Sequence, residues 1–483
     1  MSADEKDRIG RRGFLQGGTA ALGGLALSGA LPRRARAQTA SVRVLLVGDP
    51  FQYAVSDLKD NFKEVTGLTA EIESLSYDAL QARLVSSFIA HKSDADVVIV
   101  DQMWTGQYLD SGWIIPLDDL IKADKDVDIG DFIPEVFYSL NTWRGKVATM
   151  PVAAYGQGVM YRKDVFAALG LSLPPAADWT WDAYTDLIGK IHGKTVNGTT
   201  IQGTVVAGQQ PQPIVHMFTQ LAASLGAQWF KQFPGAPWDF TSTIDSPETL
   251  EAVTRFLQLY KLGPAEAVNY NWFDAGMRYA HGDVGMFYWW TPYYYLTRND
   301  GYMTGKVSPV RDQIAIAPLP HAKDKPQVIS IGGWSLAITA NSPDKQAAWK
   351  FVKWATSAAT QKKMALNKTS TYSYQFSDFA RKSLYGDADL LAIYPYLPVQ
   401  LEALQQGNGK IARPPSPVYT TLEGIYGLNL NKVLAGDLSP KEALAETKSL
   451  FENVLKGNFL LPYKLESFND TLDATKALMK ALA

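Results

Sequence analysis

Along the chain, short apolar runs alternate with stretches of helical spacing. Val42-Arg43-Val44-Leu45-Leu46-Val47 predicts a strand that stops at Gly48-Asp49-Pro50, and Leu58, Phe62 and Val65 predict a helix over Ser56 to Thr66, stopped by Gly67. A second strand is expected over Thr69 to Glu73 and a second amphipathic helix over Tyr77 to Ile89. Asp96-Val97-Val98-Ile99-Val100 is then unbroken apolar sequence, as in a strand buried on both faces of a parallel sheet. This β-α-β-α-β opening predicts an open α/β sheet, whose ligand sites lie beyond the carboxyl ends of its strands. Asp49 to Tyr53 and Asp101 to Trp104 occupy two such ends.

The alternation continues. Lys146 to Met150 and Gly158 to Tyr161 predict strands, and Thr180 can cap a helix that buries Trp181, Tyr184, Leu187 and Ile188. Ser246-Pro247 begins a helix expected to reach Lys261, where Gly263-Pro264 ends it. Val284 to Phe287, Ile314 to Ala317 and Ser335 to Thr339 predict further strands, and Ser342-Pro343 a helix carrying Trp349, Val352 and Trp354. The last helices are expected over Tyr419 to Leu434 and Pro440 to Leu455, the latter with capping-box spacing at Ser439 and Glu442. Arg413-Pro414-Pro415-Ser416-Pro417 is a rigid turn, and no internal repeat is visible.

The first 37 residues stand apart. Arg11 and Arg12, the weakly apolar Gly13 to Leu31 and the small-x-small Ala35-Arg36-Ala37 predict an export signal cleaved near Ala37, and hence a periplasmic protein. Arg11-Arg12-Gly13-Phe14-Leu15 resembles a twin-arginine signal, with Gly10 and Gln16 departing from it; a membrane anchor is the competing reading. The chain has no cysteine, which removes disulfides and a lipidated N-terminal cysteine. Cleavage would remove seven basic and three acidic residues, taking the net charge from -2 to -6, so nucleic acid is not an expected partner. Roughly 445 remaining residues exceed what one core supports, and about two domains are expected.

Catalytic and metal motifs are missing. His91, His192, His216, His281 and His321 are scattered without metal spacing, and there is no G-x-S-x-G elbow, phosphate loop or dinucleotide fingerprint. No cofactor and no metal are expected. Paired carboxylates, as in a secreted glycoside hydrolase, leave no sequence signature because they need only be close in space. The densest unusual segment is Met286-Phe287-Tyr288-Trp289-Trp290-Thr291-Pro292-Tyr293-Tyr294-Tyr295. Phe287 and Tyr288 fall in the predicted strand and suit the core. Trp289, Trp290 and Tyr293 fall beyond it, where a flat indole could meet the C–H face of a sugar ring while amide and carboxylate groups meet its hydroxyls.

Several segments together carry a family resemblance. Phe62-Lys63-Glu64-Val65-Thr66-Gly67, Asp96-Val97-Val98 and Gly112-Trp113-Ile114-Ile115-Pro116-Leu117 come first. Gly145 to Pro151, Tyr161-Arg162-Lys163-Asp164 and His281-Gly282-Asp283-Val284-Gly285-Met286 follow, then Ala317-Pro318-Leu319-Pro320, Gly332-Gly333 and Asn341-Ser342-Pro343-Asp344-Lys345. In order and spacing the chain resembles the extracellular solute-binding proteins of ABC importers, in the carbohydrate-binding group that includes maltose-binding protein. That resemblance implies an α/β, two-lobed periplasmic-binding-protein fold with discontinuous lobes joined by a hinge. One lobe would take 42–147 and 316–366, the other 148–315 and 367–483.

It also implies a monomer that is not an enzyme, with a carbohydrate ligand and the importer's permease subunits as partners. By position it implies ligand contacts from Gln52, Asp101, Trp104, Tyr155, Trp289, Trp290, Tyr293, Trp334 and Arg413. Trp289-Trp290 departs from the small residue usual before the platform aromatic. Arg413 could pair with a carboxylate or hydrogen-bond hydroxyls. A polyamine or ferric ion on the same fold is the alternative ligand, the latter through Tyr293-Tyr294-Tyr295.

Overall fold

Val42, Val44 and Leu46 are buried on the first strand, and residues 97–101 are buried throughout, as an apolar run between two helical layers requires. The computed structural model describes residues 41–92, 95–235, 237–298, 308–367, 376–457 and 470–483; the expected export signal lies outside them. Its strands are β1 (Ser41–Val47), β2 (Thr69–Leu75), β3 (Val97–Asp101), β4 (Thr142–Trp143), β5 (Lys146–Val147), β6 (Met150–Tyr155), β7 (Gln157–Arg162), β8 (Lys194–Val196), β9 (Thr199–Ile201), β10 (Phe230–Gln232), β11 (Asp239–Ser242), β12 (Met286–Trp290), β13 (Ile314–Pro318) and β14 (Gly332–Ile338).

Five strands join in the order β2-β1-β3-β14-β6. β1 runs parallel to β2 and β3, as the β-α-β-α-β opening predicts, while β14 is antiparallel to both β3 and β6. A second sheet, β12-β7-β13, is antiparallel throughout. The remaining strands form the hairpins β4-β5, β8-β9 and β10-β11.

Only Gly156 separates β6 in the first sheet from β7 in the second, and the chain returns between β13 and β14. Both crossings therefore fall later than the expected boundaries at 147/148 and 315/316. The late segment also divides. Residues 376–381 lie against the first sheet's side, where Ala154 N donates to Asp378 O (2.8 Å) and Ile133 N to Ala380 O (2.9 Å). The terminal helix Leu472–Leu482 reaches the same side through the Lys476–Glu135 pair at 3.3 Å.

Most helices match their sequence signals. Thr180 accepts from Ala183 N, Ser246 from Thr249 N, and the Ser439–Glu442 capping box is formed in both directions. Two differences bear on the cleft. The first helix begins at Pro50, with Asp49 as its N-cap, and a new helix starts at Lys59. β12 starts two residues and ends three residues later than expected, so Trp289 and Trp290 are inside the strand, facing Gly158 and Gln157 of β7.

Candidate functional site

The carboxyl end of β1, the β3 end, the two crossings and the end of β12 converge on a cavity of about 440 Å³. Asp49 anchors its floor. As N-cap it accepts from Phe51 N, and its carboxylate also accepts from the Tyr155 hydroxyl (3.2 and 3.3 Å) and the Trp334 indole N–H (3.3 Å). Burial raises the Asp49 pKa to about 6 against the pull of those donors. Asp378 lines the same cavity and is pushed well above the usual carboxylate range, first by burial and then by Asp49.

Asp101, at the end of β3, accepts from the Tyr77 hydroxyl at 3.1 Å. Burial raises its pKa, opposed by the charge of Arg413. Arg413 follows the short helix Gly409–Ala412 and is itself buried: Nη2 donates to Ile331 O (3.0 Å), and the guanidinium lies 5.2 Å from the centre of the Trp290 ring. Nearby, the Trp272 indole donates to His216 Nδ1 (3.2 Å), which leaves Nε2 to donate to Glu423 (3.0 Å). That tautomer is neutral, in keeping with a pKa lowered by burial and by Arg413. Burial raises Glu423 to about 7.

The two tryptophans of β12 are divided by strand alternation. Trp290 turns into the cavity, whereas Trp289 is fully buried against Phe287 on the other side. A Cβ on Gly332 would sit 2.9 Å from the Trp290 ring, and Gly333, at φ 144°, brings its backbone against Ala153. Gly332 thus makes room for the indole, and Gly333 for the close approach of the neighbouring strand.

Of the residues singled out in the sequence, Asp101, Tyr155, Trp290, Tyr293, Trp334 and Arg413 line the cavity. Three do not. Gln52 falls inside the helix that starts at Pro50 and donates to Ser56 (3.0 Å), because the expected loop is helical. Trp104 is fully buried one layer back, its ring 5.2 Å from Tyr77 and 6.3 Å from Trp334, which stand between it and the cavity. Trp289 faces the core. Tyr293 and Tyr295 line the cavity but Tyr294 does not; it packs on Tyr396.

Sequence reasoning missed Tyr77, His216, Asn271, Trp272 and Asp378, and placed Asp49 at a ligand-facing strand end without naming it as a contact; all six are in the lining. Asp49-Pro50 and Asn271-Trp272-Phe273-Asp274 carried helix-start signals, an N-cap before proline and a capping box, that would have placed two of them at cavity-facing helix ends. Opposite walls also touch at the mouth: Tyr77 and Trp272 rings lie 5.3 Å apart, and Gln212 Nε2 donates to Asp78 at 3.4 Å. Among the described residues no group of three or more His, Cys, Asp or Glu could hold a metal ion, and no helix is long and apolar enough to cross a membrane.

A mannitol-binding protein of Pseudomonas aeruginosa is 25% identical over 77% of this chain and 83% of its own length. A solved ABC transporter solute-binding protein of Agrobacterium radiobacter K84, in complex with ribitol, is 28% identical with a TM-score of 0.75, covering 86% of this chain and 98% of that one. Maltose-bound MalE3 of T. maritima shares the two-lobed fold at 22% identity and a TM-score of 0.71, covering 86% of this chain and 100% of that one. Residues 46–362 match the model of one family across most of the chain, and the protein belongs to the bacterial extracellular solute-binding proteins.

Proposed function

We propose that the protein captures a small carbohydrate, a sugar or polyol, between its lobes and delivers it to the membrane permease of an ABC importer. The observation that carries this reading is the cavity itself. A cleft of about 440 Å³ walled by Trp290, Trp334 and Tyr155 and set with Asp49, Asp101 and Arg413 offers flat apolar faces beside hydroxyl-binding groups. The ligands of the similar proteins, mannitol, ribitol and maltose, are of that class. The proposed contacts are Asp101, Tyr155, Trp290, Tyr293, Trp334 and Arg413, joined by Asp49. Lobes that meet across the cleft at Tyr77 and Trp272 suit a ligand that bridges both walls, and it stabilises closure by the difference in its affinity for the two arrangements.

The mature protein should be stabilised by its ligand. At a concentration of 100 times Kd the gain is about 2.7 kcal/mol, and a thermal-shift panel of sugars and polyols reads it. A panel without effect, beside a response to spermidine or ferric ion, rejects the carbohydrate class; release of product from a glycoside marks a hydrolase.

Export through the twin-arginine route, with removal of residues up to about Ala37, is part of the same proposal and rests on the sequence of that segment. Replacing Arg11 and Arg12 with lysine should leave the precursor in the cytoplasm on cell fractionation. Undiminished periplasmic delivery argues for the general secretory route instead.

A further inference from the structure

Charges in the cavity lining are one-sided. Among the described residues Asp49, Asp78, Asp101 and Asp378 face a single lining cation, Arg413, because His216 is held neutral between the Trp272 indole and Glu423. Arg413 is not at liberty to balance them all. It is fixed on Ile331 O, and the carboxylates it acts upon are Asp101 and Glu423. Asp78 is met at the mouth by the Gln212 amide, and Asp49 by three neutral donors, the Tyr155 hydroxyl, the Trp334 indole and Phe51 N.

Asp378 is left over. It is 1% exposed, its Oδ1 has no hydrogen-bond partner among the described residues, and the charge that acts on it is that of Asp49, of like sign. A buried carboxyl without a partner calls for a donor, and one beside a second carboxyl calls for positive charge.

We infer that this cleft prefers a hydroxylated ligand bearing a primary ammonium group, an amino sugar or amino polyol, over the neutral or acidic counterpart. The inference rests on the carbohydrate reading above and narrows it. An ammonium supplies three donors and a full charge to the Asp49–Asp378 pair, where a hydroxyl supplies one donor and none. The faces of Tyr155 and Trp290, with ring centres 6.2 Å apart beside that pair, also favour a cation. A ligand carboxylate would instead add a like charge.

Titration calorimetry on the mature protein with D-glucamine, D-glucitol and D-gluconate, a matched cation, neutral and anion, tests this. D-glucamine should bind about tenfold tighter than D-glucitol, with D-gluconate weakest. Asp378→Asn should collapse the ratio between the first two; Asp49→Asn gives the same comparison if that variant does not fold. If D-glucitol binds as tightly as D-glucamine, or the preference survives both substitutions, the charge inference is overturned while the carbohydrate reading stands. If none of the three binds but another neutral sugar of the thermal panel does, the inference fails and again the carbohydrate reading does not.

Discussion

Trp104→Ala should destabilise the protein by about 3–5 kcal/mol, the cost of emptying a fully buried indole site, whereas Trp290→Ala should act mainly on ligand affinity. Trp104 touches Tyr77, Tyr108 and Trp334 and has no surface exposed, so its loss opens a cavity behind the binding wall. Trp290 stands on the wall, over Gly332 and beside Tyr155 and Arg413. Removing an aromatic anchor of this kind costs about 2 kcal/mol of binding, some thirtyfold in Kd. Denaturant melts and calorimetry, with the sugar or polyol found by thermal shift, separate the two effects. Trp349→Ala, in a helix packed on the first sheet, is the core control. Unchanged affinity in folded Trp290→Ala would remove that ring from the ligand wall.

The buried Lys410–Asp470 pair should give the other large effect. Its atoms lie 2.6 Å apart with side-chain exposures of 0% and 1%, and Lys410 also donates to Thr142 Oγ1 (3.3 Å) and rests 4.3 Å from the centre of the Tyr138 ring. Burial disfavours the lysine charge and Asp470 opposes that tendency. Asp470 directly precedes Thr471, the cap of the terminal helix Leu472–Leu482. Lys410→Met strands the carboxylate in the interior and should cost about 3–5 kcal/mol. Lys410→Met with Asp470→Leu should recover much of it, since an apolar pair needs no compensating charge. A single-variant loss below about 1 kcal/mol, or a double variant no better than the single, would show that water reaches the pair.

Part of the cleft was legible because Asp101 ends an unbroken apolar run, at a strand end that local pattern identifies. Trp334 and Arg413 were reachable only by their position in the family resemblance. The errors share a physical origin. Gln52 was expected in a loop because the N-cap and N1 proline at Asp49-Pro50 were read as a stop and not as a helix start. Trp289 and Trp290 share one expectation because the predicted strand ends three residues early. Once both lie in β12, the two-residue period sends one to the core and the other to the cavity.

By itself the sequence determined the α/β alternation and most helix starts and stops, since these depend on hydrophobic period, caps and turn residues within a few positions of one another; the family was legible from the order and spacing of motifs that resemble it. Tertiary structure alone decided which residues meet. Asp49 and Asp378 share one cavity from 329 positions apart. Trp272, His216 and Glu423 form one hydrogen-bonded chain from three separate helices. Trp104 is core only because Tyr77 and Trp334 happen to stand in front of it. Local pattern fixes which way a side chain faces along its own element, but the neighbour it faces, and so its charge state and its exposure, is set by how the elements pack.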